Sequence, residues 1–387
     1  MEEGTLRMSL KEHYRSRVCQ KLLEGRMSEV QAAQRLRLST RQVRRIKKRV
    51  ALQGPAGAIH RLRGTVSNRA TPPAVEHKVA DLYQAVYAGW NITHFTEHLE
   101  RTHGIGLSRE KVRRILIDHP DRPRRHKRRK HRRWRKRRQS EGELVQMDAS
   151  THNWLGDDGE EAVLINAIDD ATGQAPWAQF FEHDGTIENL TVVKRIVQKH
   201  GIFASVYLDR SNKYFPLDKT MLEAAQRGEE VLTQFGRVMH QLGIEMIKAR
   251  SPQAKGRVER SFNTFQDRLI KELALEGIKT REAANQYLWH TFLPDFNRRF
   301  GVKAVNNETA YVKMIKPFDY NAIFCLKDTR TVQNDYTISY KGHKIQLEDL
   351  RLRAGVKVEV RIWLDRSLHV YWKAEPVKAR QVGKHAV

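Results

Sequence analysis

Residues 121–140 carry 13 Lys and Arg against a single Asp. Like charge at that density repels itself and cannot enter a hydrophobic core, so the chain must fold as separate parts on either side of the run. An extended or weakly helical linker is expected there. Phosphates would order it, through contacts such as Arg128 and Arg132 that add affinity rather than sequence choice and weaken steeply as salt rises. His126 and His131 lie among these cations and are read as further backbone contacts, not as metal ligands. The run contributes +12 of a formal net charge of +26, which leaves +14 on the rest of the chain. The whole molecule therefore calls for a polyanionic partner, most simply double-stranded DNA.

Other classes are disfavoured by what the chain lacks. Cys19 and Cys325 are its only cysteines, far apart in sequence, which supports neither a disulfide framework nor a Cys-based zinc finger. No apolar run approaches the roughly 18 residues that span a bilayer, and the N-terminus is too polar for a secretory signal. A soluble protein of a reducing cytoplasm is expected, with no membrane partner. At 387 residues the chain has room for two to four domains.

Residues 1–52 read as a helix-turn-helix domain. Ser28-Glu-Val-Gln31 has the capping-box form that opens a helix carrying Val30, Ala33 and Leu36, and Ser39-Thr-Arg-Gln42 opens another carrying Val43 and Ile46. The second helix would present Arg41, Gln42, Arg44, Arg45 and Lys48 outward, as a major-groove reader does. After the Gly54-Pro-Ala-Gly57 break, residues 70–119 read as a second unit of the same kind. Val75, Val79, Leu82 and Val86, then Ile92, Phe95 and Leu99, then Val112, Ile115 and Leu116 form its apolar stripe. Arg109, Lys111, Arg113 and Arg114 would face DNA. The basic linker follows at 120–140.

From Leu144 the period changes to that of strands. Leu144-Val-Gln-Met-Asp148 and Ala204-Ser-Val-Tyr-Leu-Asp209 each end on an acid, and two further strands lie between them, at 162–168 and 175–181. Downstream come a helix near 187–199, a helical stretch over 222–242, a short strand at 244–247 and a helical tail over 283–299 whose Trp289, Phe292, Phe296 and Phe300 close the core. Beyond Pro317 short alternating segments between Gly and Asp turns are expected to form a small β-barrel over 317–387.

The most specific stretch is Ser251-Pro-Gln-Ala-Lys-Gly-Arg-Val-Glu-Arg260. Pro252 suits the first turn of a helix, and Val258, Phe262, Phe265, Leu269 and Leu273 then recur at helical spacing as a core face. Lys255, Glu259 and Asn263 share a neighbouring face. Strand ends at one sheet edge are where α/β proteins place ligands, so Asp148, Asp209 and Glu259 could meet there and hold hard divalent ions. This order of acids, with Asn212 and Phe215 after Asp209, resembles the catalytic core of bacterial insertion-sequence transposases and retroviral integrases, over roughly residues 140 to 300.

The resemblance implies a multidomain α+β protein with N-terminal helix-turn-helix units, a ribonuclease H-like integrase catalytic core over 141–316 and the C-terminal barrel. It implies a catalytic triad of Asp148, Asp209 and Glu259 binding two Mg²⁺ ions, with Mn²⁺ as a substitute, for DNA strand cleavage and strand transfer. Lys255 and Arg257 would then face phosphates and Asn212 would steady the loop after Asp209. A homo-oligomer is expected because two DNA ends must be joined. The 49 residues between Asp209 and Glu259 exceed the interval in many members of the family, so an insertion near 216–235 must be accommodated. Glu229, Glu230 and Glu245 are rivals to Glu259, and Asp169 and Asp170 are rivals to Asp148. The alternative reading is a sequence-specific DNA-binding regulator whose integrase-like core is inert.

Overall fold

A computed structural model of the chain describes residues 6–67, 70–117, 119–120, 136–217, 220, 226–227, 231–249, 256–314, 318–349 and 351–384. The chain divides into two compact units, Met1–Leu82 and Tyr83–Val387. In the first, α1 (Leu10–Leu23), α2 (Glu29–Leu36) and α3 (Thr40–Gln53) pack around Val18, Leu22, Ala32, Ala33 and Val43. Ser28 and Gln31 form a full capping box at α2, and the Ser39 hydroxyl accepts from the Gln42 N–H at α3. Between them Arg37, at φ 52°, turns the chain in the left-handed region and ends α2. Val30 is not a core residue as its spacing predicts. It is 59% exposed, and the adjacent Ala32 and Ala33 make the close contact instead.

A short 3₁₀ turn, Gly54–Ala58, folds back onto α3. A Cβ at Gly57 would lie 2.4 Å from the Arg49 backbone, so only glycine permits that approach. Glu12 ties the other end. Its carboxylate accepts from the Ser9 and His60 N–H groups and from Arg63 Nη1, at 2.9, 3.3 and 2.9 Å.

The second unit begins with the end of α4 (Pro73–Ala85), followed by α5 (Ile92–His103) and α6 (Arg109–Ile115). Much of the stripe read from the sequence is buried, Val79, Phe95, Leu99, Val112 and Leu116 among it, but one position differs and aromatic residues join it. Val86 is 46% exposed, and Tyr83, Tyr87 and Trp90 are buried with Phe95, Leu99, Val112 and Leu116. The aromatic rings are admitted because their polar tips are satisfied: Tyr83 donates to the Trp90 carbonyl and Tyr87 pairs with His103 Nε2, both at 3.0 Å.

A five-stranded sheet follows, built from β1 (Val145–Thr151), β2 (Val163–Asp169), β3 (Trp177–Phe181), β4 (Ser205–Leu208) and β5 (Glu245–Lys248) in the order β3-β2-β1-β4-β5. The β1–β2 and β2–β3 pairs are antiparallel, and β1–β4 and β4–β5 are parallel. Alternation along β1 sends Val145 and Met147 to one face, where they pack with α7 (Thr186–Lys199) and α8 (Gln234–Leu242) through Val193, Ile196, Phe235 and Met239. The opposite face carries α9 (Gly256–Leu275), α10 (Arg281–Tyr287) and α11 (Leu293–Phe300) through Val258, Phe262, Phe265, Leu269, Phe292 and Phe296. Those aromatic residues are packing residues, with Phe265 edge-on to both Phe292 and Phe296. Phe300 is the exception at 39% exposed. The site therefore sits in a three-layer αβα arrangement. Among the described residues no helix is long and apolar enough to cross a membrane.

After the one-turn α12 (Tyr320–Ile323), the C-terminal strands are β6 (Cys325–Thr331), β7 (Thr337–Tyr340), β8 (His343–Leu347), β9 (Lys357–Trp363), β10 (Leu368–Trp372), β11 (Glu375–Val377) and β12 (Ala379–Lys384). The expected barrel is not closed among the described residues. The strands form two sheets, β11-β10-β9-β6 and β12-β8-β7, over one core of Val332, Ile338, Ile345, Val358, Val360 and Val370. The chain passes from one sheet to the other at Lys378, between β11 and β12, so the two ladders share a strand path without hydrogen-bonding into a ring.

Glu12 yields a pH test of the first unit. The Ser9 hydrogen bonds, backbone before side chain, hold its carboxyl down at about 2 against an ordinary 4.5. A depressed folded value means the stabilisation is complete above about pH 4.5 and is lost as the pH falls towards 2. Glu12→Gln should flatten that acid limb in melting curves and lower Tm at neutral pH. An acid limb unchanged by the substitution would refute the assignment.

Candidate active site and nucleic-acid interface

Asp148 lies within β1 rather than at its end, because the hairpin with β2 continues to Thr151. Its cross-strand neighbour is Asn166. Val145 pairs with Val206 and Gln146 with Tyr207, a register whose continuation sets Asp209, the residue after β4, beside Asp148. Two acids 61 residues apart in sequence are thus in register on neighbouring parallel chain segments. Asp209 Oδ1 accepts from the Ser211 N–H at 3.3 Å, which begins the turn after the strand.

Glu259 is exposed in the first turn of α9. That turn is gripped by the sheet. Gln146, buried two residues before Asp148, accepts from the Val258 N–H through Oε1 at 3.3 Å and donates from Nε2 to Asp170 at 2.6 Å. Asp170 also pairs with Arg257 Nη1 at 2.7 Å, and Asn166 Nδ2 donates to Ser261 Oγ at 2.8 Å. Glu259 is therefore carried on the sheet face to which Gln146 and Asn166 point. The three carboxylates do not come within 4.8 Å of one another as a group.

Tyr214 reports the local field. Its hydroxyl donates to Asn189 Oδ1 at 2.7 Å, and burial first, then the charges of Asp184, Asp209 and Asp148, push its pKa well above the usual value. Asp184 is an acid that the sequence does not single out, and it is ion-paired with Lys213. Asn212 is exposed, and the loop after Asp209 is held instead by the buried Tyr214. Asn166 Oδ1 is buried with no hydrogen-bond partner in the structure. A spare carbonyl oxygen opposite Asp148, among hard carboxylates, fits a divalent cation.

The rival acids fall elsewhere. Glu245 opens β5 opposite Ser205, at the far end of β4 from Asp209. Asp169 pairs with Val145 at the start of β1 and is a turn residue, accepting from Gly142 N, Thr172 N and Thr172 Oγ1 at 2.8 Å. Burial raises its pKa. Asp170 is a structural anion, and Glu229 and Glu230 lie outside the described residues. Arg257, read from sequence as a phosphate contact, has its guanidinium turned to Asp170.

Of the expected DNA-facing residues, Arg41, Gln42, Arg44, Arg45 and Lys48 are all exposed on α3, opposite Val43, Ile46 and Val50. Arg44 is paired with Glu29. On α6, Arg113 and Arg114 both pair with Glu110, and Arg109 donates to Thr93 Oγ1 at 2.9 Å. Glu110 thus offsets cationic charge that the spacing alone presents as available. Arg128, Arg132 and Lys255 lie outside the described residues, as do His126, His131 and Pro252.

The exposed basic face of α3 and the acid-bearing sheet are features of a multidomain α+β protein led by a helical unit, and comparison with known proteins gives its family. Residues 15–77 match the winged helix-turn-helix family model. Over 385 residues, 98% of this chain and 83% of the relative, the chain is 33% identical to a Sinorhizobium fredii protein (strain NBRC 101917 / NGR234) named as the transposase y4bF. It is 28% identical over 360 residues, 84% of this chain and 76% of the relative, to the transposase for insertion sequence IS1202 of Streptococcus pneumoniae. The chain belongs to this family of transposases. Among solved structures, a simian T-cell lymphotropic virus intasome in complex with the PP2A regulatory subunit B56 gamma aligns over 79% of this chain and 99% of that one. That alignment has 13% identity and a TM-score of 0.34.

Asp170 and Asp148 should respond unequally to substitution. Asp170→Ala removes the carboxylate that Arg257 and Gln146 share, at a cost of about 3–5 kcal/mol. Asp148→Asn, an isosteric change at a half-buried position, should cost less than about 1 kcal/mol. Urea unfolding measures both, and a cost below about 1 kcal/mol for Asp170→Ala would contradict the structural role.

Proposed function

We propose that the chain is a DNA transposase that binds the ends of a mobile element and catalyses strand cleavage and strand transfer in a ribonuclease H-like core. The observation that supports this reading most is the β1–β4 register, which runs towards Asp148 on one strand and Asp209 after its neighbour, with Glu259 on a helix packed on the same sheet. The strand order, with three antiparallel strands followed by two parallel ones, is the order expected of that core. The family relatives named as transposases support the same activity.

Asp148, Asp209 and Glu259 would hold two Mg²⁺ or Mn²⁺ ions, with Asn166 Oδ1 beside them. When bound, such ions acidify an attacking water or 3′-hydroxyl and stabilise the leaving oxygen of a phosphodiester. The Gln146–Asp170–Arg257 junction fixes the first turn of α9 and hence Glu259. Tyr214 holds the loop that carries Asp209. Arg41, Gln42, Arg45 and Lys48 would read a major groove, and Arg109, Arg113 and Arg114 would contact backbone once Glu110 yields them. The linker cations Arg128 and Arg132 and the core residue Lys255 would add phosphate contacts. Joining two ends calls for a homo-oligomer.

The test uses duplexes from the DNA flanking the coding region with Mg²⁺ or Mn²⁺. Wild type should cut at a discrete position and join the exposed 3′ end to a second duplex. Glu259→Gln should bind equally well and cut about 10³-fold or more slowly, a loss of about 4 kcal/mol in transition-state stabilisation. Binding without cleavage by wild type with either metal would favour the DNA-binding regulator instead.

A further inference from the structure

Among the described residues, one group of metal-competent side chains meets within 4.8 Å: His94 and His98 of α5 and Glu272 of α9. All three are buried, at 1%, 4% and 5% exposure. The imidazoles stand four residues apart on one helix face, and the carboxylate arrives from another helix. Glu272 Oε1 lies 2.7 Å from His94 Nε2 and 3.9 Å from His98 Nε2. Tyr287 donates to the other oxygen, Oε2, at 2.8 Å and so turns Oε1 towards the imidazoles. The Trp90 ring stacks on His94 at a centroid distance of 4.3 Å and meets His98 edge-on at 4.8 Å, which closes one side of the group.

Nε2 is the nitrogen that His94 and His98 each turn to this group, while His94 Nδ1, across its ring, is buried with no hydrogen-bond partner. Arg101 Nη2 lies 2.8 Å from His98 Nε2, and because a guanidinium only donates, the lone pair of that nitrogen already faces positive charge. Arg101 is exposed and can swing aside.

We propose that His94, His98 and Glu272 form a structural zinc site that fastens α5 to α9, with water in the fourth position on the Arg101 side. Two imidazoles and one carboxylate suit Zn²⁺, and ligand atoms about 2.0–2.1 Å from a tetrahedral ion lie about 3.3 Å apart, a value bracketed by the two separations here. The site is separate from Asp148, Asp209 and Glu259 and does not rest on their catalytic role.

Zinc content of the full-length protein, purified from zinc-supplemented culture and freed of loose metal by gel filtration, is measured alongside Tm before and after chelation. About one Zn²⁺ per chain is expected, with Tm falling by about 5 °C on chelation and recovering on addition of Zn²⁺. His98→Gln should lose both the ion and the response. Arg101→Ala, which removes the competing cation without touching a ligand, should bind Zn²⁺ several-fold more tightly and keeps the test decisive if His98→Gln does not fold. Glu259→Gln should retain the zinc. A wild-type protein with no zinc and no Zn²⁺-dependent shift in Tm would overturn the proposal, as would a zinc content unchanged in His98→Gln or an affinity unchanged in Arg101→Ala.

Discussion

The buried amide of Gln146 is the contact on which the geometry of the five-stranded sheet and its helix α9 depends. It bonds at one end to the backbone of α9 and at the other to Asp170, whose second charge-assisted partner is Arg257 on the same helical turn. Each of these groups is shielded from water, so leaving one unpaired costs about 1–3 kcal/mol, and more where it is charged. A helix held only by Phe262, Phe265 and Leu269 could slide along its apolar stripe at little cost. The polar junction removes that freedom and sets the rotation at which Glu259 leaves the helix.

The local features were legible in the sequence because local chemistry creates them. Ser28 and Ser39 mark the helix starts they cap, and the apolar runs ending near Asp148 and Asp209 read as strands because period two is a short-range signal. That those two acids could meet was read from the placement of strand ends at one sheet edge and from the family resemblance, since a register between residues 61 apart has no local trace. Gln146 and Asn166 were missed for the same reason. A polar residue in an apolar strand looks like a weak point until its partners, 112 and 95 residues away, are known. Arg257 was misread because cationic flanks look alike whether they face a phosphate or a buried carboxylate.

Two errors have a different origin. At α4 and just beyond it the sequence reading named aliphatic residues alone, yet Tyr83 and Tyr87 enter the core because each hydroxyl finds a polar partner there. The C-terminal strands were foreseen, but their closure into a barrel was not a property of any strand. It depends on whether the edges meet, and the crossing at Lys378 lets one core be covered by two separate ladders.

The helix Gly256–Leu275 carries Glu259 near its start and Glu272 near its end, thirteen residues on, or about 20 Å at the rise of an α-helix. Such a rod acts as a lever. A tilt of about 3° about the Glu272 end, where α5 is attached through His94 and Glu97, displaces the Glu259 end by about 1 Å. For a carboxylate in the role proposed here, an error of that size can slow chemistry about a hundredfold. The attachment of α5 is thus a mechanical reference for the acidic edge, and whatever shifts that attachment also shifts the alignment of the reacting groups.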